Sequence, residues 1–290
     1  MDRYVKIFFG FAPYSKHKKK FNITGIFQPS AEKGIDQPRK GIYKNTTLSA
    51  SFNALGTSRY VLTENNRAIR DVASRVPYDA IIILVKEGRY GGGGIYNTYA
   101  ITTVDNELSD NVFVHEFGHS FSGLADEYYS SSTSYNDFYP KGFEPAEPNI
   151  TALLNPEKLK WRELVDPDLS IPTEWEKELH DSLSVAKGNL WYEETKEVKS
   201  MKDRGASQEE IDKIKQQYKQ KRDALSDELD GLFERIKDVE GKVGAFEGAG
   251  YNAKGLYRPE LECLMHSNKG KTFCGVCQKA IEDMIQYYTY

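Results

Sequence analysis

The segment Val112–Tyr129, which reads VFVHEFGHSFSGLADEYY, constrains this chain more than any other. It contains His115-Glu116-x-x-His119. On an α-helix, residues four apart lie one turn above each other on one face, so both imidazoles can aim a nitrogen at one point. Zinc accepts such nitrogens at about 2.0–2.1 Å. Glu116 projects beside that point rather than onto it, where a carboxylate can take a proton from a metal-activated water. The pattern points to metal-assisted hydrolysis.

The flanking residues agree with this reading. Ser109, Asp110 and Asn111 are suited to cap a helix start, and Val112, Phe113, Val114 and Phe117 give the helix a face to bury. Gly118 costs a helix about 1 kcal/mol against alanine, which implies close approach of another backbone. Gly123 can stop the helix in a left-handed conformation and turn the chain sharply, returning Asp126 as a third ligand. Three protein ligands leave the fourth position of a catalytic zinc for water. Glu127 is the alternative third ligand, and Glu144 or Glu147 are more distant ones. The competing interpretation is a solvated helix face followed by an ordinary loop. The agreement of start, spacing, base and turn weighs against it.

Away from this segment, strand-like runs at Tyr4–Phe9, Phe21–Phe27, Ala80–Val85 and Ile95–Thr103 alternate with helical spacing over Thr63–Arg75. That order predicts an α/β (α+β) domain with a mixed sheet over the histidine helix. Gly91–Gly94 precedes the last strand before this helix, and bare backbone there would let a peptide add as a strand. Tyr128, Tyr129, Tyr135, Phe138 and Tyr139 follow the motif and either line a cleft or pack. From about Glu174 to Lys242 the chain is charged and glycine-poor. Ile211, Ile214, Tyr218, Leu225, Leu229, Leu232, Ile236 and Val239 recur there at helical spacing, with Gly205-Ala206-Ser207 supplying a break and a cap. A helical hairpin over 174–242 follows, inserted between two parts of one catalytic domain, 1–173 and 243–290.

Three cysteines cannot all pair within one chain. Cys274-Gly-Val-Cys277 has metal-site spacing, but a four-thiolate zinc site lacks its fourth sulfur. A bridge from Cys263 to one of the pair and three free buried thiols are both open. A formal net charge of -4 argues against a nucleic-acid partner, and the basic cluster Lys16–Lys20 reads as a solvated loop. No apolar run approaches the ~18–20 residues needed for a membrane span, and Met1-Asp2-Arg3 lacks the plan of a signal peptide.

The run His115-Glu-Phe-Gly-His-Ser-Phe-x-Gly-Leu-x-Asp-Glu-Tyr128 closely resembles the zinc site of the bacterial IgA peptidase family, a metzincin-like group of metalloendopeptidases. So do Phe21-Asn-Ile, Pro29-Ser, Gly34-Ile-Asp-Gln-Pro38, Pro77-Tyr-Asp79, Tyr90–Gly94, Ile171-Pro-Thr173, Val243–Tyr251, Tyr257-Arg-Pro259 and Cys263-Leu-Met265. The resemblance implies a metzincin-like zincin fold and one catalytic zinc ion held by His115, His119 and Asp126. It also implies Glu116 as general base and Met265 in the turn beneath the metal. Gly123 and Asp126 each fall one residue later than in the common metzincin spacing, a departure shared with this family. The implied activity is zinc-dependent hydrolysis of peptide bonds in extracellular proteins or glycoproteins, such as immunoglobulin A or mucins. The implied location is extracellular, periplasmic or at the cell surface, with this chain starting within or just before the catalytic part. The alternative is a catalytically idle zinc-binding module that recognises protein or glycan, although an idle site has no physical need for Glu116.

Overall fold

The computed structural model of the protein describes residues 1–129, 138–267, 270 and 272–289. Its fold is mixed α+β. Three strands form the sheet nearest the histidine motif: β3 (Ile82–Val85), β4 (Gly92–Ile95) and β5 (Tyr99–Thr103), in the order β3-β5-β4. β5 runs parallel to β3, with Ile83 opposite Ile101, and antiparallel to β4, with Gly93 opposite Ile101, so the sheet is mixed. Every residue of β5 is buried, as a central strand covered on both faces must be. A ladder of two short strands, β1 (Ser51–Phe52) and β2 (Val61–Leu62), stands beside it, and helix α2 (Asn66–Ala73) buries Ile69 in the same core. The Asn65 side chain caps α2 by accepting from the Ala68 amide at 3.1 Å.

Helix α3 (Ser109–Ser122) carries the motif and lies against β4 and β5. It is buried nearly all round. On its other side sits an aromatic core in which Phe8, Tyr14, Phe21, Phe117 and Phe121 interlock, with Phe8 4.4 Å from Tyr14 and 5.3 Å from Phe117 between ring centroids. Each such ring pair contributes about 0.5–1.5 kcal/mol beyond its buried area. The C-terminal helix α6 (Gly275–Tyr288) closes this core with Val276, Ile281 and Ile285.

Two of the four expected strands are absent from these positions. Tyr4–Phe9 falls in helix α1 (Asp2–Phe8), where Tyr4 and Phe8, one turn apart, both face the core. Phe21–Phe27 forms no regular element. The expected strand at Ile95–Thr103 is divided, because Asn97 turns the chain with a positive φ of 53° and its amide binds Ser120 O at 2.8 Å.

Helices α4 (Lys177–Asp203) and α5 (Gln208–Arg235) pack against each other. Lys187 donates to Ser226 at 2.7 Å, Tyr218 donates to Glu197 at 2.9 Å, and Arg222 pairs with Glu194. Rising numbers on one helix thus meet falling numbers on the other, and the pair is antiparallel. Gly205 turns the chain at φ 77°, and Ser207 with Glu210 forms a reciprocal capping box. The second helix ends at Arg235, short of Val239, which lies beyond it beside a small core of Trp175, Ile236, Phe246 and Leu261. Ser207→Ala should cost about 0.5–2 kcal/mol, read as a lower midpoint in denaturant unfolding followed by helical circular dichroism.

The chain closes with the antiparallel pair β6 (Phe246–Ala249) and β7 (Asn252–Arg258). The tight turn between them holds Tyr251 at φ 66°. A non-glycine residue in that region is held there by its surroundings at a cost of order 1 kcal/mol. Its side chain explains why.

Candidate active site

In α3 the imidazoles of His115 and His119 lie one turn apart, and their Nε2 atoms approach to 3.0 Å. Helix α3 ends at Gly123, whose φ of 62° satisfies the left-handed stop and lets the Gly123 amide bind His119 O at 3.1 Å. The chain then returns Asp126, whose Oδ1 lies 3.0 Å from His115 Nε2 and 3.4 Å from His119 Nε2. Glu116 joins the two imidazoles in one group whose donor atoms all lie within 4.8 Å of one another.

The protons on the imidazoles follow from their outer contacts. His115 Nδ1 lies 3.0 Å from Leu264 O, and His119 Nδ1 lies 2.6 Å from Leu124 O. A carbonyl only accepts, so each Nδ1 donates and each Nε2 presents a lone pair inward. Asp126 Oδ1 is buried and has no hydrogen-bond donor although two nitrogens flank it. Three electron-rich atoms this close require a positive charge among them, a proton or a metal ion. The titration behaviour reflects the same arrangement. Burial alone would raise the Asp126 carboxyl, but the two imidazoles outweigh it and hold it well below the usual range. Burial alone would lower His119, but Asp126 outweighs it and pushes it up to about 9. The donor set fits zinc, with nitrogen and oxygen ligands and backbone carbonyls fixing the imidazoles from behind.

Glu116 is buried beside this centre, and burial, partly offset by the two histidines, raises its carboxyl above the ordinary value. The glycine run makes room for it. A Cβ on Gly92 would lie 2.7 Å from Glu116 Oε1, and one on Gly94 would lie 2.4 Å from Glu116 O. The glycines therefore serve close packing of β4 on α3. At Gly92 the free edge of β4 is met by a bridge to Tyr60.

Beneath the histidines, Leu264–His266 forms a turn, closed by His266 N donating to Cys263 O at 2.9 Å. Met265 is fully buried there, and its carbonyl accepts from Glu127 N at 2.9 Å. A Cβ on Gly118 would meet the side chains of Leu124, Met265 and Phe273 at 3.2–3.3 Å. The neighbours that require this glycine are thus side chains rather than another backbone. The expected caps Ser109, Asp110 and Asn111 all fall inside α3; the N-cap is Leu108, whose amide binds Asn106 Oδ1 at 3.0 Å.

Other acids considered for the site lie elsewhere. Glu127 turns away from the imidazoles toward Cys274 and Cys277, Glu144 binds the Ala152 amide and Lys160, and Glu147 accepts from Tyr139. Tyr251 reaches the site from far along the chain. It lies 125 residues from Asp126 and donates a short hydrogen bond to its Oδ2, while Tyr60 and Tyr251 hydroxyls meet at 3.1 Å. Burial and the nearby Asp126 charge keep the Tyr251 hydroxyl protonated. Tyr128 packs edge-on to Tyr251 and accepts from Arg59 at 2.7 Å. Phe138 also packs edge-on to Tyr251, while Tyr129 hydrogen-bonds Asp181; Tyr135 lies outside the described residues. Losing a partner that orients a metal ligand typically costs 10–100-fold in affinity. Tyr251→Phe should therefore release its metal ion to a competing chelator at about 10–100-fold lower chelator strength than the native protein does.

A family model described as IgA Peptidase M64 matches residues 2–285. A search of curated proteins finds no match.

Proposed function

The chain belongs to the IgA peptidase M64 family and is a metallopeptidase, and from that premise we propose that it is a zinc-dependent endopeptidase with a metzincin-like catalytic site. The observation that carries this reading is the convergence of His115 Nε2, His119 Nε2 and Asp126 Oδ1 at 3.0–3.4 Å, with both imidazole protons on the far side. His115, His119 and Asp126 would hold the ion. When bound, zinc supplies a more acidic water, with a pKa near 7, and polarises the scissile carbonyl.

The protein groups do the rest. Glu116 accepts the proton of the attacking water and delivers it to the leaving amine. Its buried carboxyl has a raised proton affinity suited to both halves of that transfer. Leu264 O and Leu124 O fix the two imidazoles, and Tyr251 fixes Asp126, so the ligands are in place before substrate arrives. Tyr60 extends this chain from the β1–β2 side through its contact with Tyr251.

The substrate reading is a protein or glycoprotein met outside the cytoplasm, immunoglobulin A or a mucin-like chain, and it rests on the family resemblance alone. No helix among the described residues is long and apolar enough to cross a membrane. Mass-spectrometric mapping of cleavage in a mixture of peptides, immunoglobulin A and mucin tests the proposal. Cleavage should stop with chelator and return with zinc. Zinc binding without any cleavage would instead favour a recognition module on the same fold.

A further inference from the structure

Beside the histidine site, a second cluster of metal-ligating side chains is fully buried: Glu127, Cys263, Cys274 and Cys277. We propose that these four residues form a second, structural metal site for a thiophilic divalent ion such as zinc.

The geometry is that of a four-ligand shell. A tetrahedral ion with Zn–S bonds of about 2.3 Å has sulfur–sulfur edges of about 3.8 Å, and sulfur–oxygen edges of about 3.5 Å for Zn–O bonds of about 2.0–2.2 Å. Cys263 Sγ lies 3.8 Å from Cys277 Sγ, and Glu127 Oε1 lies 3.1 Å from Cys277 Sγ and 3.8 Å from Cys274 Sγ. All four ligand atoms lie within 4.8 Å of one another. The S–S bond of a disulfide needs about 2.05 Å, and any one bridge would strand the third sulfur and the carboxylate together.

Backbone amides are arranged to hold two of the sulfurs as thiolates. Met265 N and Cys274 N donate to Cys263 Sγ at 3.4 and 3.3 Å, and Cys277 N donates to Cys274 Sγ at 3.5 Å. Cys274 caps α6 and Cys277 sits in its first turn, where the helix dipole favours negative charge. The carboxylate is oriented from behind by Asn149 Nδ2, 2.9 Å from Oε1. Its Oε2 is buried without a hydrogen-bond partner. A carboxylate at zero exposure, with Oε1 against two of the sulfurs and Oε2 left without a partner, is a further sign of a cation there.

The placement gives the ion a task. Glu127 follows Asp126, its amide binds Met265 O, and Cys263 begins the turn whose Leu264 carbonyl orients His115. One ion would fasten the Asp126 loop, this turn and the start of α6 into a single unit under the catalytic centre. Metal binding at such sites is folding free energy, so the cluster would also stabilise the domain.

Metal counting and cobalt substitution test the site on the whole chain. The native protein should carry two ions per chain, and His119→Ala should keep one. Cobalt(II) protein should show a near-ultraviolet thiolate-to-cobalt charge-transfer band that survives in His119→Ala, since the histidine site has no sulfur. Cys277→Ser should lose one ion and weaken that band, but the native and His119→Ala results stand even if this variant fails to fold. A single ion in the native protein with no thiolate band would overturn the proposal. So would an intact mass two hydrogens light, which marks a disulfide.

Discussion

Glu116→Gln should abolish most turnover and leave the metal in place. The amide keeps the shape that fits against Gly92, but it can neither take a proton from water nor return one to the amine. General acid–base groups contribute about 10²–10⁴-fold, so kcat should fall by that factor while KM changes little. Metal content should match the native protein, because His115, His119 and Asp126 are untouched. Steady-state kinetics beside metal analysis checks both halves. Native-like turnover would remove Glu116 from the chemistry, and loss of the ion would make it a ligand instead.

Gly94→Ala should damage both stability and activity. Its Cβ would stand 2.4 Å from Glu116 O and 2.7 Å from His119 Cβ, atoms of the helix backbone and of a side-chain root that cannot rotate away. The sheet must then part from α3, at about 1–3 kcal/mol for such overpacking. The displacement reaches His119 directly, and a misplacement near 1 Å can lower activity about 10²-fold. Gly188→Ala is the control. That glycine lies on α4 with open space around it, so alanine there should raise stability by up to about 1 kcal/mol. Paired thermal melts and activity assays of the two variants separate strain from the mere loss of glycine freedom.

The features legible in the sequence are those governed by local spacing. The one-turn separation of His115 and His119, the left-handed Gly123 and the return of Asp126 all lie within a dozen residues, and the structure brings these side chains together. The hairpin helices were legible for the same reason, through long periodicity and the Ser207–Glu210 box. What spacing could not give is contact across the chain. Tyr4–Phe9 has the aromatic and β-branched content of a strand, yet packing of Tyr4 on Phe113, 109 residues away, favours the helix. The glycine run was open to several readings until α3 lay against it. Tyr251 carries no local mark of its bond to Asp126. The fourth member of the cysteine cluster is a carboxylate, which cysteine spacing does not mark. Glu127, next to Asp126 in sequence, faces the opposite way, and residue spacing does not reveal which of two adjacent acids turns toward which site.

The most direct measurement is anomalous X-ray scattering at the zinc edge from crystals of protein that cleaves peptide. A peak should lie between His115 Nε2, His119 Nε2 and Asp126 Oδ1, with Glu116 beside it and outside bonding distance. Active protein with no peak between those atoms, or with Glu116 completing the shell in place of Asp126, would contradict this arrangement.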